Sequence, residues 1–310
     1  MLHLALVLQP ERAGAAIELL AAHPGVAGVV HLPGASVAPR GDVVEADVAR
    51  ESADELIDAL RPHCTDAGGT ITLTEIGAAI GEPVRRAERT APGEGVDAVV
   101  WEQLAQRTDE DAALSGTFLV FLIAATLISS AGLLTDSDVL VVGGMVLGPE
   151  FGPLSSIALA VVRRRPGRAV RSAVALVVGF AIAIAVTAAA VGVLAATFGI
   201  PHGYLSGQRP LTSFVSHPDE FSVVVALIAG VAGIVSLTSA RSSGLVGVFI
   251  SVTTIPAAAN IGTALVAGRP AEAAGAALQL GVNVLCLLVA AVLTLIVQRA
   301  LLARRMRRAA

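Results

Sequence analysis

A carboxylate lies in an apolar stretch of the chain that is interrupted by glycines and prolines. Glu150 lies between two glycine- and proline-containing pairs, with Gly148 and Pro149 before it and Gly152 and Pro153 after it. These residues are predicted to break a helix, and in lipid the freed backbone groups need partners in protein or in a water-filled cavity. Placing an ionised carboxylate at the centre of a membrane helix costs at least about 2.5 kcal/mol of insertion free energy. We therefore expect Glu150 to be protonated, bound to a cation, wetted by a cavity or capping the broken helix.

A second polar run falls in a later apolar stretch, where Thr253 and Thr254 precede Pro256 and Asn260 follows it. Pro256 is predicted to break this helix as well. Two interrupted helices are typical of a central transport site, although serine, threonine, asparagine and glutamine also hold membrane helices together. The next stretch adds two amides at i and i+4 on one helical face. The candidate residues for binding a substrate or an ion are thus Glu150, Thr253, Thr254, Asn260, Gln279 and Asn283.

The elements that must position these residues are long apolar segments. The chain has 310 residues, of which 55% are hydrophobic and only 15% charged, and its mean hydropathy is +0.76. This composition excludes a single soluble domain and a disordered chain. A bilayer crossing needs about 20 apolar residues. The sequence predicts a helical membrane domain over 113–300 with six spans, at about 115–134, 138–162, 172–198, 222–240, 243–266 and 273–298.

The six segments divide into two sets of three. A shift of 107 residues lays the first set on the second, so that Ser129 falls on Ser236 and Pro149 on Pro256. Because each unit would contain an odd number of spans, the two copies would have opposite orientations in the membrane. The spacing therefore predicts a 3+3 inverted repeat with broken helices, an arrangement that recurs in secondary transporters.

Arginine is distributed unevenly along this half. With the N-terminus in the cytoplasm, 11 arginines fall on the cytoplasmic side and only Arg209 and Arg269 fall outside. The positive-inside rule therefore predicts a multi-pass protein of the bacterial inner membrane with both termini in the cytoplasm and a basic tail over 301–310. Its partner would be the lipid bilayer, not nucleic acid. The expected topology anchors are Arg163, Arg164, Arg165, Arg304 and Arg305.

Residues 1–111 have a different character, with 19 acidic residues against 8 arginines. Alternating apolar residues and helical stripes predict the order βαββαβ over residues 1–76, which is a ferredoxin-like α+β domain in the cytoplasm. Ser52 begins a predicted capping box, and a strand is predicted over 26–32. A linker over 77–112 would contain an amphipathic helix at about 96–106.

No catalytic or metal-binding motif accompanies these elements. Four histidines and Cys64 are scattered through residues 1–76 without the spacing of a metal site, so no metal is expected. A lone buried carboxylate has no partner for acid–base catalysis, and the chain lacks an H-E-x-x-H motif. We therefore expect the protein not to be an enzyme.

Three motifs resemble a known family. They are Gly132-Leu133-Leu134-Thr135-Asp136-Ser137, the glycine–proline run at 143–153, and Ile255-Pro256 with Ala259-Asn260-Ile261-Gly262. Together they resemble the bacterial domain-of-unknown-function 389 family of hydrophobic membrane proteins, across most of 112–300. The resemblance implies the architecture of the helical half.

The sequence predicts a membrane transporter or channel for a small solute or ion, with a cytoplasmic domain that senses or regulates. The alternative is a membrane sensor or scaffold that transports nothing and whose spans mediate oligomerisation. Faces of small residues, such as Gly179 to Ala196, favour contact between helices and a homo-oligomer.

Overall fold

The computed structural model divides into two compact units. The first is built mainly from Met1–Leu104, and the second from Ala105–Leu237 and Ser242–Ala300. The structure describes residues 1–91, 101, 104–105, 108, 112–207, 210–212, 220–238 and 246–309, with backbone alone for 221, 246–253 and 302–309. Most of the helix predicted at 96–106 lies outside the described residues.

The first unit is a four-stranded antiparallel sheet with helices. The strands lie in the order β2 (Val26–Val37), β3 (Arg40–Val48), β1 (Leu2–Leu8) and β4 (Thr70–Glu75). Strand β1 pairs with both β3 and β4. The order of elements is the βαββαβ predicted from the sequence. The elements are β1 (Leu2–Leu8), α1 (Pro10–Ala22), β2 (Val26–Val37), β3 (Arg40–Val48), α2 (Ala53–Leu60) and β4 (Thr70–Glu75), followed by α3 (Glu82–Thr90).

The alternation of β1 builds the core of this unit. Leu2, Leu4, Leu6 and Leu8 all point to one face of the sheet and are almost fully buried against α1 and α2. Burying each of these side chains contributes about 1.5–3 kcal/mol. The intervening residues are half-buried on the opposite face, as a period of two requires.

Two local predictions in this unit are corrected. Strand β2 continues to Val37 instead of ending at Leu32, because an irregularity in its pairing with β3 between Leu32 and Ser36 accommodates the Pro33–Gly34 pair. Ser52 occupies the N-cap of α2, but its side chain makes no capping hydrogen bond. A short 3-10 turn over Arg50–Ser52 precedes the helix and gives Ser52 helical dihedrals, whereas a capping serine needs extended ones.

The second unit is helical. Helices α4 (Gly116–Thr135) and α5 (Asp138–Val146) begin at serine N-caps. Ser115 accepts a hydrogen bond from the Phe118 N–H, and Ser137 accepts one from the Leu140 N–H. Helices α7 (Pro166–Phe198) and α11 (Pro270–Ala309) begin with a proline, which has no N–H to leave unsatisfied there. The elements are α4 (Gly116–Thr135), α5 (Asp138–Val146), α6 (Phe151–Val162), α7 (Pro166–Phe198), α8 (His202–Ser206), α9 (Glu220–Thr238), α10 (Val246–Val266) and α11 (Pro270–Ala309).

Several of these helices are long and apolar enough to cross a membrane. Among the described residues these are α4, α7 and α11, or four spans when the bent pair of α5 and α6 is counted as one. The described apolar parts of α9 and α10, Ser222–Thr238 and Thr254–Val266, are shorter. The structure thus gives three or four candidate spans where the sequence predicts six.

Helix α10 is the central element of the second unit. All residues from Thr254 to Asn260 are buried, whichever side of the helix they occupy. The helix continues through Pro256, so the break predicted there is wrong. Tight packing on every side holds the backbone helical at Pro256 and offsets the hydrogen bond that proline cannot make.

Glycines allow the surrounding helices to approach closely. A Cβ at Gly144 would lie 2.6 Å from the backbone oxygen of Ala125, so α5 packs directly on α4. A Cβ at Gly262 would lie 2.9 Å from the backbone oxygen of Ile184, which brings α10 against α7. Small residues at such crossings are typical of helix packing in membranes.

Candidate functional site

The helix break predicted from the sequence separates α5 from α6. Helix α5 ends at Val146, α6 begins at Phe151, and the two are bent by 53°. Gly148 and Pro149 lie in the gap, whereas Gly152 and Pro153 belong to the first turn of α6. Proline is tolerated in that turn because its missing N–H would have no partner within the helix.

Glu150 is the N-cap residue of α6 and is fully buried, with 0% of its surface exposed. Its side chain does not cap the helix. Instead, Oε1 accepts a hydrogen bond of 2.5 Å from the hydroxyl of Thr254 on α10. The structure therefore brings together two of the predicted binding residues, which are 104 positions apart in the sequence. The carboxyl group is held in the protein interior, where a charge needs a compensating group.

A groove of about 340 Å³ runs beside the break. One wall comes from the first turns of α4, and the other consists of residues on both sides of Glu150. The groove therefore reaches the backbone next to the buried carboxylate. It is lined by Ser115, Thr117, Phe118, Phe121, Gly148, Pro149, Phe151 and Gly152.

Asn260 belongs to a separate network. Its Oδ1 accepts a hydrogen bond of 2.7 Å from the Tyr204 hydroxyl, and its Nδ2 donates one of 3.2 Å to Oε1 of Glu272. Nη1 of Arg269 lies 3.0 Å from Oε2 of Glu272 and donates a hydrogen bond of 2.6 Å to the backbone oxygen of Tyr204. We refer to Tyr204, Asn260, Arg269 and Glu272 as the polar ring. Sequence analysis identified only Asn260 in it.

Gln279 and Asn283 are both buried in α11, at 3% and 0% exposure. No hydrogen-bond partner of Gln279 Oε1 is present in the described part of the chain. The Asn260–Glu272 contact fixes the relative height of α10 and α11. Counted from that contact with a rise of about 1.5 Å per residue, Thr254 lies about 9 Å deeper in the helix pair and Gln279 about 10.5 Å deeper. The side chain of Thr253 is outside the described residues.

Paired hydroxyls join further helices of this unit. Ser130 on α4 and Thr263 on α10 approach to 2.8 Å, and the Thr187 hydroxyl of α7 donates to that of Thr126 on α4 at 3.0 Å. These pairs hold helices together and have little capacity left for a ligand.

The arginines predicted to be topology anchors lie in two different kinds of segment. Arg163, Arg164 and Arg165 form the turn between α6 and α7. The last helix continues to Ala309 and so includes most of the predicted tail. The side chains of Arg304 and Arg305 are outside the described residues.

In the first unit, the buried carboxylate of Asp42 takes part in two hydrogen bonds. Its Oδ1 accepts a hydrogen bond of 2.8 Å from the Gly34 N–H, and its Oδ2 lies 2.8 Å from Nε2 of His31. These two bonds, first that from Gly34, hold the pKa of Asp42 below its usual value. They join β3 to the part of β2 around the irregularity between Leu32 and Ser36.

Cys64 is fully buried in the same unit, and burial raises the pKa of its thiol above the usual value. The described residues contain no group of three histidine, cysteine or acidic side chains arranged to hold a metal ion.

Comparison with known proteins shows that the helical half is similar to one family. Residues 145–289 match the family model "Domain of unknown function (DUF389)". An uncharacterized protein of Methanocaldococcus jannaschii is 25% identical over 194 residues, which cover 63% of this chain and 58% of that protein. The chain therefore spans less than two thirds of that relative's length. No solved structure is significantly similar to the chain.

The matched segment contains most of the glycine–proline run, Glu150 and the second polar motif. The resemblance predicted from the motifs is therefore confirmed: residues 145–289 of this chain are similar to the DUF389 family.

Proposed function

We propose that the protein is a membrane transporter or channel for a small solute or ion, and that Glu150 carries a proton or a monovalent cation. The observation that supports this function best is the fully buried carboxylate at the helix break, bound by the Thr254 hydroxyl. An ionisable residue inside a membrane domain usually marks a pathway for ions, protons or substrate.

The charge of the site favours a cation. No lysine or arginine occurs within any of the six predicted spans. A carboxyl group buried in such surroundings is stable when it is protonated or when a cation compensates its negative charge. Thr254 offers a hydroxyl oxygen beside the carboxylate, and Gln279 offers a buried amide oxygen at a similar height. Oxygen ligands of this kind suit a hard cation.

The groove beside the break supplies a route to this site. Its walls include Gly148 and Gly152, which lie on the two sides of Glu150 in the chain. Glycine leaves the backbone open to an approaching ion, whereas a larger side chain would fill the groove. In this arrangement the site is reached from the end of the unit where α4 begins.

The arrangement in the membrane is part of the proposal. Six spans in a 3+3 inverted repeat, with both termini in the cytoplasm of a bacterial inner membrane, follow from the hydropathy and the arginine distribution. The first unit would sense or regulate from the cytoplasm, and small-residue faces would mediate homo-oligomerisation.

Ligand-induced stabilisation tests the site. A ligand that binds only the native state raises its stability, by about 2.7 kcal/mol at a hundred times its Kd. We expect a panel of monovalent cations, or a decrease in pH, to raise the melting temperature of the purified wild type and of Asp138→Asn, but not of Glu150→Gln. Asp138 is the matched control because it is an exposed carboxylate on the same bent helix pair.

Flux measurements test transport itself. Wild-type protein in liposomes should carry the cation that gave the stabilisation, and Glu150→Gln should reduce the flux at least tenfold. Flux that is the same in Glu150→Gln and the wild type would contradict the role of Glu150.

A scaffold without transport is the second candidate. It is favoured by the polar ring, because Asn260 there joins helices instead of facing a cavity. A scaffold should tolerate Glu150→Leu, which removes the buried carboxylate, and should retain its melting temperature. Binding of a ligand that survives Glu150→Gln would also favour this candidate and would direct attention to the first unit.

A further inference from the structure

We propose that Tyr204 on α8 is a gate that closes one end of the helical unit, locked by Arg269. The inference rests on the proposed function, since a gate controls access to the Glu150–Thr254 site. The end that it closes is opposite to the groove. Tyr204 clusters with Leu133, near the end of α4, whereas the groove is lined by Phe121. Twelve residues of helix, about 18 Å, separate these two levels.

Tyr204 fills the end of the unit as a plug. It is the largest fully buried side chain of the described residues and packs with Leu133, Met145 and Ala259. Helix α8 has only 5 residues, too few to be stable by itself. Its position therefore depends on the contacts of Tyr204, and loss of those contacts would release the whole segment.

Glycines at both ends give α8 the freedom to move. Gly199 precedes the helix with φ of 77°, and Gly207 follows it with φ of 73°. Gly268, with φ of 70°, stands directly before Arg269. These left-handed conformations are easily adopted by glycine and are common at hinges. Both the plug and its lock are thus attached through glycine hinges.

The polar ring is a lock that can open. Arg269 contacts Tyr204 twice, through the hydrogen bond to its backbone oxygen and through its guanidinium, which lies 6.0 Å from the ring centroid. About a third of the Arg269 side chain is exposed. Water can therefore replace its partners when α8 leaves, which keeps the opening within the range of a functional transition. A permanent structural element would more commonly exclude water from such bonds.

The ring and the binding site are linked through α10. Asn260 and Thr254 are six residues, or about 9 Å, apart on the same helix. Opening at Tyr204 would expose the unit from the α8 end, while the groove serves the other end. Access from two ends to one central site is the geometry that alternating access requires.

Thiol accessibility tests the gate without any transport measurement. In a background with Cys64→Ala and Cys286→Ala, Met145→Cys places a reporter thiol in the cluster of Tyr204, and Leu122→Cys places one in the other core cluster of the unit. The measurement is the rate of reaction with a membrane-impermeant maleimide. The variant Arg269→Gln is compared with the control Arg299→Gln. Arg299 donates a hydrogen bond to the backbone oxygen of Val162, the last residue of α6, and so also bonds to the backbone, but outside the polar ring.

Arg269→Gln should raise the labelling rate at position 145 about tenfold, as expected for the loss of about 1.4 kcal/mol from the lock. The rate at position 122 should not change, and Arg299→Gln should have no effect on either. Tyr204→Phe and Glu272→Gln each remove one bond of the polar ring and should give smaller increases in the labelling rate. These two variants replace Arg269→Gln in the test if that variant does not fold.

Equal labelling of position 145 in the wild type and in all folded ring variants would overturn the gate and make Tyr204 a fixed wedge. A parallel increase at position 122 would also overturn it, because the whole unit would then be loosened. The same experiments distinguish failure of the gate from failure of the proposed transport function. Faster labelling at position 145 without cation flux would retain a movable gate and reject transport.

Discussion

The hydroxyl of Thr254 donates a hydrogen bond of 2.5 Å to Oε1 of Glu150 and so joins the central helix α10 to the break between α5 and α6. Both residues are fully buried. A neutral hydroxyl can stabilise a carboxyl group in either protonation state, because it donates to the ionised form and can accept from the protonated one. This pair can therefore support a carboxyl group that changes its protonation or exchanges a cation.

Thr254→Val should destabilise the helical unit, because it keeps the shape of the side chain but leaves Oε1 of Glu150 without this donor. Loss of a buried hydrogen bond of this kind costs about 1–3 kcal/mol. The melting temperature in detergent measures the effect. Thr254→Ser keeps the hydroxyl and is the control; if the serine variant were as unstable as the valine variant, packing of the methyl group would be responsible.

Neighbouring glycines on α5 should respond differently to alanine. In Gly144→Ala the new Cβ would lie 2.6 Å from the backbone oxygen of Ala125, so α4 and α5 must separate, at a cost of about 1–3 kcal/mol. In Gly143→Ala the Cβ would meet nothing within 4 Å, and the higher helix propensity of alanine should leave stability unchanged or slightly raised. If the two variants had the same melting temperature, the close packing of α4 on α5 at Gly144 would be contradicted.

Asp42 should make the first unit sensitive to acid. Its pKa in the folded protein is below the ordinary value of 3.8, so its stabilisation is complete above pH 3.8 and is lost as pH falls through the folded pKa. Urea unfolding followed by the fluorescence of Trp101, the only tryptophan, measures this. Trp101 reports on this unit because its backbone N–H donates a hydrogen bond to the Asp54 carboxylate. The stability difference between wild type and Asp42→Asn should shrink below pH 3.8; a constant difference would contradict the prediction.

Cys64 should be unreactive in the native protein. It is fully buried, and burial raises the pKa of its thiol, so little thiolate forms and reagents have no access to it. In Cys286→Ala, alkylation at pH 8 should become rapid only in urea concentrations that unfold the first unit. Rapid labelling without urea would show that the end of β4 near Thr70 opens in the native state, since the Cys64 thiol donates to the Thr70 backbone oxygen.

Local and periodic signals account for what the sequence predicted well. The alternation of Leu2 to Leu8 predicts β1, and the glycine–proline run predicts the break before Phe151. Both depend on neighbouring residues and on backbone restrictions that any chain shares.

Partnerships across the fold could not be predicted in this way. Tyr204 lies in a segment without hydrophobic periodicity, and its bond to Asn260 joins residues 56 positions apart. Pro256 was predicted to break a helix because a proline taken alone does so. Only the all-round burial of α10, which depends on several distant helices, explains why the helix continues through it.

The burial of α10 has a consequence for how the protein is made. A segment that carries Thr254, Asn260 and Thr263 and is enclosed from Thr254 to Asn260 gains little from contact with lipid. In a membrane we expect it to be stable only when its neighbours are already there. Helices α4 to α7 precede it in the chain and leave the ribosome first, so the receptor for α10 is synthesised before α10 itself. The order of the helices in the sequence therefore predicts an order of assembly.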